Sequence, residues 1–281
     1  MSLIDPEDLL ARLGDPDLRI ADVRWWLTDP AKGRRDYDAG HLPGAVFVDL
    51  DSDLASPPAP AGPGRHPLPG PVAFAARMAE LGFDDGTEIV AYDDAGGTIA
   101  ARLWWMLEDL GHRKVRVLDG GIAGWKAIGG PLTAVVPSHA PRRLHLRDRW
   151  TRTIDRDALA VRLGSVGLID ARAVERYRGD LEPVDAAPGH IPTAVSKPTA
   201  GNLGADGRFL DPELLRTRFE GLGGDVVTYC GSGVNACHNA LAMRLAGLAD
   251  PLLYPGSYSD WVGTGMPIAT GDEPGVMPVV G

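Results

Sequence analysis

Cysteine is almost missing from this chain of 281 residues, which has only Cys230 and Cys237. Two thiols seven positions apart cannot staple a fold of this length, and they are too few to hold a structural zinc ion. A reducing, cytoplasmic setting is the expectation. No run of about 18 apolar residues occurs, so no membrane span is expected. The N-terminus, Met1-Ser2-Leu3-Ile4-Asp5-Pro6, has neither the basic nor the apolar region of a signal peptide. Positive charge is also short: Lys and Arg number 28 against 38 Asp and Glu, a formal net charge of −10. That balance excludes nucleic acid and the membrane surface as main partners, since both need a basic footprint. At 44% hydrophobic and 23% charged, what remains is an ordinary globular composition.

What is present is a repeat. Ile20-Ala21-Asp22-Val23-Arg24, then Tyr37, then Gly40-His41-Leu42-Pro43-Gly44-Ala45-Val46 stand in the first half. Leu168-Ile169-Asp170-Ala171-Arg172, Tyr177 and Gly189-His190-Ile191-Pro192-Thr193-Ala194-Val195 answer them in the second. Each half then has an apolar run ending in tyrosine, Glu88–Tyr92 and Asp225–Tyr229. Each closes on Gly, Trp, Gly and Pro at identical spacing: Gly120, Trp125, Gly129, Pro131 and Gly256, Trp261, Gly265, Pro267. Four blocks in one order indicate an internal duplication into two domains of about 135 residues. The two tryptophans read as core.

The domains are expected at 1–136 and 151–281, joined by a linker at 137–150 that holds Pro137, Pro141, Arg142, Arg143, Arg147 and Arg149. Ser56–Pro71, dense in Pro and Gly, reads as a surface loop inserted in the first copy. Short apolar runs predict strands at Ile20–Val23, Ala45–Val48, Glu88–Tyr92, Val115–Leu118, Val166–Ile169, Val226–Tyr229 and Leu252–Tyr254. Helical patterns fall at Pro71–Leu81, Thr98–Leu110, Asp211–Glu220 and Val234–Leu245. Strands alternating with helices imply α/β domains with parallel sheets, whose sites lie at the carboxyl ends of strands.

Two equivalent loops sit there. The second reads Cys230-Gly231-Ser232-Gly233-Val234-Asn235-Ala236, and the first Asp93-Asp94-Ala95-Gly96-Gly97-Thr98. A thiol in one copy faces a carboxylate in the other. A loop of small residues before a helix turns its amides onto one point, and the helix N-terminus adds positive potential. Such a nest binds anions and favours the thiolate, which makes Cys230 a nucleophile. Asp93 caps its loop but cannot accept a transferred atom, so the first copy reads as a catalytically silent partner that shapes the cleft. Cys237 is expected on the packing face of the following helix rather than as a resolving thiol.

Taken together, Asp-x-Arg, Tyr, Gly-His-Ile/Leu-Pro, Tyr229-Cys230 with its six-residue loop, and Gly256-Ser257 before Trp261 resemble the tandem-domain rhodanese family of sulfurtransferases. The resemblance spans about Asp5 to Gly271. It implies an α/β fold of two tandem rhodanese-like domains, each a parallel sheet flanked by helices. Asp93 resembles the residue in the cysteine slot of the family's inactive domain. The Cys230-Gly231-Ser232-Gly233-Val234-Asn235 loop, which carries no basic residue, resembles the 3-mercaptopyruvate branch, with Asn235 in place of threonine. Arg176 matches the arginine that holds the donor's anionic group. A second arginine after a Glu-Pro pair is common in that branch, but Val184 follows Glu182-Pro183 here, and Arg178 is the expected substitute. Ser232 and His41 match a Ser–His–Asp relay. The relay's carboxylate has no clean match, although Asp36 is near in sequence.

The implied reaction carries sulfur from 3-mercaptopyruvate or thiosulfate through a Cys230 persulfide to cyanide or a thiol, a thioredoxin-like protein among the candidates. Gly231, Gly233, Val234 and Asn235 line the donor. No metal or organic cofactor is required. Two other readings stand beside it: a thiosulfate-specific enzyme, and a non-enzymatic persulfide carrier or regulatory module. A cysteine phosphatase is excluded because the sixth position after Cys230 is Ala236, where a phosphate-clamping arginine would stand.

Overall fold

The computed structural model describes residues 2–58 and 62–276, so residues 59–61 of the Pro- and Gly-rich segment lie outside the described residues. The chain forms two compact units. The first comprises Met1–Ser56, Leu68–Thr151 and Gly204–Phe209; the second comprises Pro57–Pro67, Arg152–Leu203 and Leu210–Gly281.

In the first unit the order is β1 (Leu3–Ile4), α1 (Pro6–Leu10), β2 (Leu18–Asp22), α2 (Ala31–Ala39), β3 (Ala45–Phe47), α3 (Pro71–Glu80), β4 (Glu88–Tyr92), α4 (Ala100–Asp109), β5 (Val115–Leu118) and α5 (Gly121–Ala127). Its strands make one parallel sheet, β1-β5-β4-β2-β3. The second unit runs α6 (Arg156–Arg162), β6 (Gly167–Asp170), α7 (Val174–Arg178), β7 (Ala194–Ser196), a 3-10 turn (Thr199–Asn202), α8 (Pro212–Arg218), β8 (Val226–Tyr229), α9 (Ala236–Leu245), β9 (Leu252–Leu253) and α10 (Ser257–Gly263). Its parallel sheet is β7-β6-β8-β9, and Thr153 bridges in parallel to Leu253 where β1 would stand. The duplication is therefore one of topology as well as sequence.

The predicted strands and the four predicted helices are all present. The short helix α2 escaped the sequence reading because it is polar and carries Gly33 in its interior. The structure needs that glycine: a Cβ there would lie 1.9 Å from the Arg24 carbonyl oxygen. The segment 137–150 packs along the first unit, with Arg142 N–H on the Ala79 carbonyl and Arg147 N–H on the Leu110 carbonyl. Residues 57–67 correct a larger expectation. The described part at 62–67 packs with the second unit rather than as a surface loop of the first, with Arg65 N–H on Ser259 Oγ.

Each repeated block has a mechanical role. Trp125 and Trp261 are fully buried, and their indole N–H groups donate to Pro131 (2.9 Å) and Pro267 (2.7 Å), which closes the Gly…Trp…Gly…Pro turn. The Asp-x-Arg blocks form buried forks: Arg24 on Asp22 and the Gly40 carbonyl, Arg172 on Asp170 and the Gly189 carbonyl. Tyr92 donates to Asp22 at 2.6 Å and accepts from Leu42 N–H, which ties the central strand to the Gly-His-x-Pro block. Burial lowers the Arg172 guanidinium's affinity for its proton, but the charge and hydrogen bond of Asp170, with Tyr229 and Tyr258, together outweigh this and raise it. Among the described residues no helix is long and apolar enough to cross a membrane, and no His, Cys, Asp and Glu cluster could hold a metal ion.

A buried ion pair stripped of one partner costs about 3–5 kcal/mol. Asp22→Ala should therefore lower the stability of the first unit by that amount in urea unfolding. A loss below about 1 kcal/mol would contradict this role for the fork.

Candidate active site

The loop after β8 holds Cys230, the candidate nucleophile. Cys230 follows the last strand residue, and its main chain is fixed from both sides: its N–H donates to Ser257 Oγ (3.1 Å), and its carbonyl accepts from Tyr258 N–H (3.0 Å). Gly231's carbonyl accepts from Ser259 N–H (3.0 Å). The chain then turns back so that Gly233 N–H donates to Cys230 Sγ at 3.1 Å. That turn needs φ +81° at Gly233, and a Cβ there would meet the Pro255 carbonyl oxygen at 2.4 Å. Ser257 also holds a left-handed conformation (φ +55°), anchored by its Oγ on the Tyr254 carbonyl.

The first unit shows what such a loop does with a resident anion. Asp93 takes Cys230's place after β4, and its carbonyl accepts from Ile122 N–H as Cys230's does from Tyr258. Its carboxylate accepts four main-chain N–H bonds, from Ala95 and Gly97 on Oδ1 and from Ile99 and Ala100 on Oδ2. The nest in the first unit is filled by its own side chain. In the second, a thiol stands at the same strand end.

Ser232 is the next functional group, and its partner corrects the sequence reading. Its Oγ lies 2.8 Å from the Nδ1 of His66, and both side chains are buried. His41, the residue expected there, is stacked flat on Tyr37 at 3.9 Å, and its ring nitrogens face the carbonyls of Tyr37 and Val135. His190 repeats that stacking on Tyr177 at 3.7 Å, so this histidine braces the Gly-His-x-Pro turn in both copies. Asp36 sits on α2 paired with Lys32. Nothing in the composition of 57–67 marked His66, because its contact joins residues 166 positions apart.

The arginines also rearrange. Arg176 is held by Glu182 (2.8 and 3.0 Å) and by Asp185 Oδ2 (2.7 Å). Arg178, the expected substitute cation, lies half-exposed and pairs with Asp272 instead. The second cation near the loop is Arg65, which donates through Nη1 to Asp185 Oδ1. Burial pushes the Glu182 carboxyl up, but Arg176 and the N–H groups of Asp185 and Val184 outweigh this and hold it low. Asp185 is raised, chiefly by burial, against the pull of Arg65 and Arg176. Val234 is buried and Asn235 is the first residue before α9. Cys237 is buried on α9, with Sγ 3.5 Å from the Gly233 carbonyl oxygen.

This array sets a thiol, a main-chain N–H upon it and a Ser–His pair close to two arginines, the groups that nucleophilic chemistry on a small anion would use. The model of the rhodanese-like domain matches residues 5–128 and 155–264. A Pseudomonas aeruginosa protein named as a probable 3-mercaptopyruvate sulfurtransferase is 45% identical, over 96% of this chain and 98% of its own. Bovine thiosulfate sulfurtransferase is 35% identical, over 88% of this chain and 85% of its own. The solved structure of 3-mercaptopyruvate sulfurtransferase from Leishmania major superposes with a TM-score of 0.83 at 30% identity, covering 94% of this chain and 74% of the other.

Gly233→Ala should destabilise the second unit by about 1–3 kcal/mol in denaturant unfolding, since a left-handed residue would also be forced against a carbonyl. An unchanged midpoint would mean the loop does not depend on this turn.

Proposed function

This chain belongs to the rhodanese family, and from that premise we propose that its second unit transfers sulfane sulfur through a Cys230 persulfide, with 3-mercaptopyruvate as the favoured donor. The names of its relatives divide between two donors, so the choice rests on chemistry. The observation that carries it is the contact of His66 with Ser232 of the Cys230 loop at 2.8 Å. Thiosulfate gives up its outer sulfur with sulfite as leaving group, and no proton need move. Mercaptopyruvate must lose a carbanion, and that requires one.

In this reading the Cys230 thiolate attacks the donor sulfur. The S–S bond forms as the S–CH2 bond breaks, and the electron pair goes to the pyruvate enolate. The donor's thiol proton passes by way of Ser232 and His66 to that enolate, which leaves pyruvate and the Cys230 persulfide anion. Gly233 N–H stabilises the sulfur charge, as amide donors do in an oxyanion hole. Arg176 attracts the donor's carboxylate. The persulfide then gives its outer sulfur to cyanide, forming thiocyanate, or to a thiol, for which a thioredoxin-like protein is a fitting cellular acceptor. A reducing, cytoplasmic compartment suits a reaction that starts from free thiolate. Cys237, turned into the packing of α9, has no part in the cycle.

Cys230→Ser should abolish turnover with every donor, while Cys237→Ser retains most of it. Survival of the first or collapse of the second would overturn the assignment. On wild-type protein kcat/KM should be higher for mercaptopyruvate than for thiosulfate, and His66→Gln should depress kcat with the former more than with the latter. The reverse order would favour a thiosulfate-specific enzyme. Stoichiometric sulfur loading without turnover would indicate a carrier.

A further inference from the structure

The site holds a cation that the repeat does not predict. Arg65 enters the second unit on the 57–67 segment, next to the residue that meets Ser232. Its main chain is docked by N–H donation to Ser259 Oγ at 3.2 Å. A Cβ on Gly231 would lie 2.7 Å from Arg65 Nη2 and 3.5 Å from both terminal nitrogens of Arg176. Two guanidinium groups therefore converge over the residue that follows Cys230.

Their hydrogen bonding is divided so that each keeps donors to spare. Asp185 takes Arg65 on one oxygen and Arg176 on the other, and its side chain is only 1% exposed. One buried carboxylate thus spaces two like charges. Arg65 Nε is buried and has no hydrogen-bond partner among the described residues. A buried guanidinium donor without a partner is costly unless a ligand supplies the acceptor. A planar carboxylate offers two oxygens, the geometry a guanidinium fork accepts best.

We infer that Arg65 is the second donor-carboxylate ligand, acting with Arg176 to form a two-arginine clamp over Gly231. Arg65 stands in for the arginine absent at Val184. The assignment rests on the mercaptopyruvate reading above. It also gives that reading a specific geometry. The residue that binds the donor's carboxylate is adjacent in the chain to the one on Ser232, so donor binding and proton transfer are set by one segment.

The test removes the arginine and the donor's carboxylate separately and together. Wild type, Arg65→Gln and Arg65→Lys are assayed with 3-mercaptopyruvate and with mercaptoacetone, which has the same keto thiol without the carboxylate. Arg65→Gln should lower kcat/KM at least ten-fold more on mercaptopyruvate than on mercaptoacetone, mostly through KM, with partial recovery in Arg65→Lys. An equal fall on both donors would overturn the clamp and leave Arg65 a support for Asp185. Wild-type protein that uses thiosulfate but not mercaptopyruvate would instead defeat the donor reading, and the clamp with it.

Discussion

The residue after the central strand of each unit must be an acceptor for main-chain amides, and the rest of each unit is arranged around that demand. In the first unit the acceptor is a carboxylate with four N–H bonds. In the second it is a sulfur with the Gly233 N–H upon it. Each loop is held from the equivalent neighbouring helix, by Ile122 N–H of α5 on Asp93 and Tyr258 N–H of α10 on Cys230. That helix start needs φ +55° at Gly121 and at Ser257. Glycine occupies this conformation freely, whereas serine is strained there and repays the strain by holding Cys230 N–H. One duplication thus places a carboxylate that fills its own loop and a thiol at equivalent strand ends.

Around each loop stands a buried frame that reappears with the sequence blocks. The Asp-x-Arg fork, the tyrosine ending the central strand and the stacked histidine all meet at the carboxyl end of the sheet. Arg172 is additionally stacked on Tyr258 at 3.7 Å and bonded to Glu182, whose carboxylate also grips Arg176. The buried Asp170–Arg172 pair and Arg176 therefore share the Glu182 carboxylate, which ties the frame to the arginine beside the Cys230 loop.

Much of this was legible in the chain. The strand ends at Tyr92 and Tyr229 and the contrast of Asp93 with Cys230 follow from apolar runs and glycine placement, which are local properties. The tryptophans fell in the core as expected. What sequence could not show was long-range and irregular. The histidine of the Gly-His-x-Pro block looked like a relay residue because its type and position fit, but stacking on tyrosine commits it to the turn in both copies. Arg178 stands two residues after Arg176 and was expected as a substitute cation, yet two residues turn about 200° around a helix, and Arg178 pairs with Asp272 at the surface. The residues that do reach the site, Arg65 and His66, lie in a Pro- and Gly-rich stretch. Its composition announces only the lack of regular structure.

The central claim is that the second unit accepts sulfur on one thiol. Mass spectrometry of the intact protein and its peptides, after exposure to 3-mercaptopyruvate without acceptor, tests it most directly. The account predicts one added sulfur atom, confined to the Cys230 peptide and discharged by cyanide with release of thiocyanate. Sulfur on the Cys237 peptide, or none on Cys230, would contradict it.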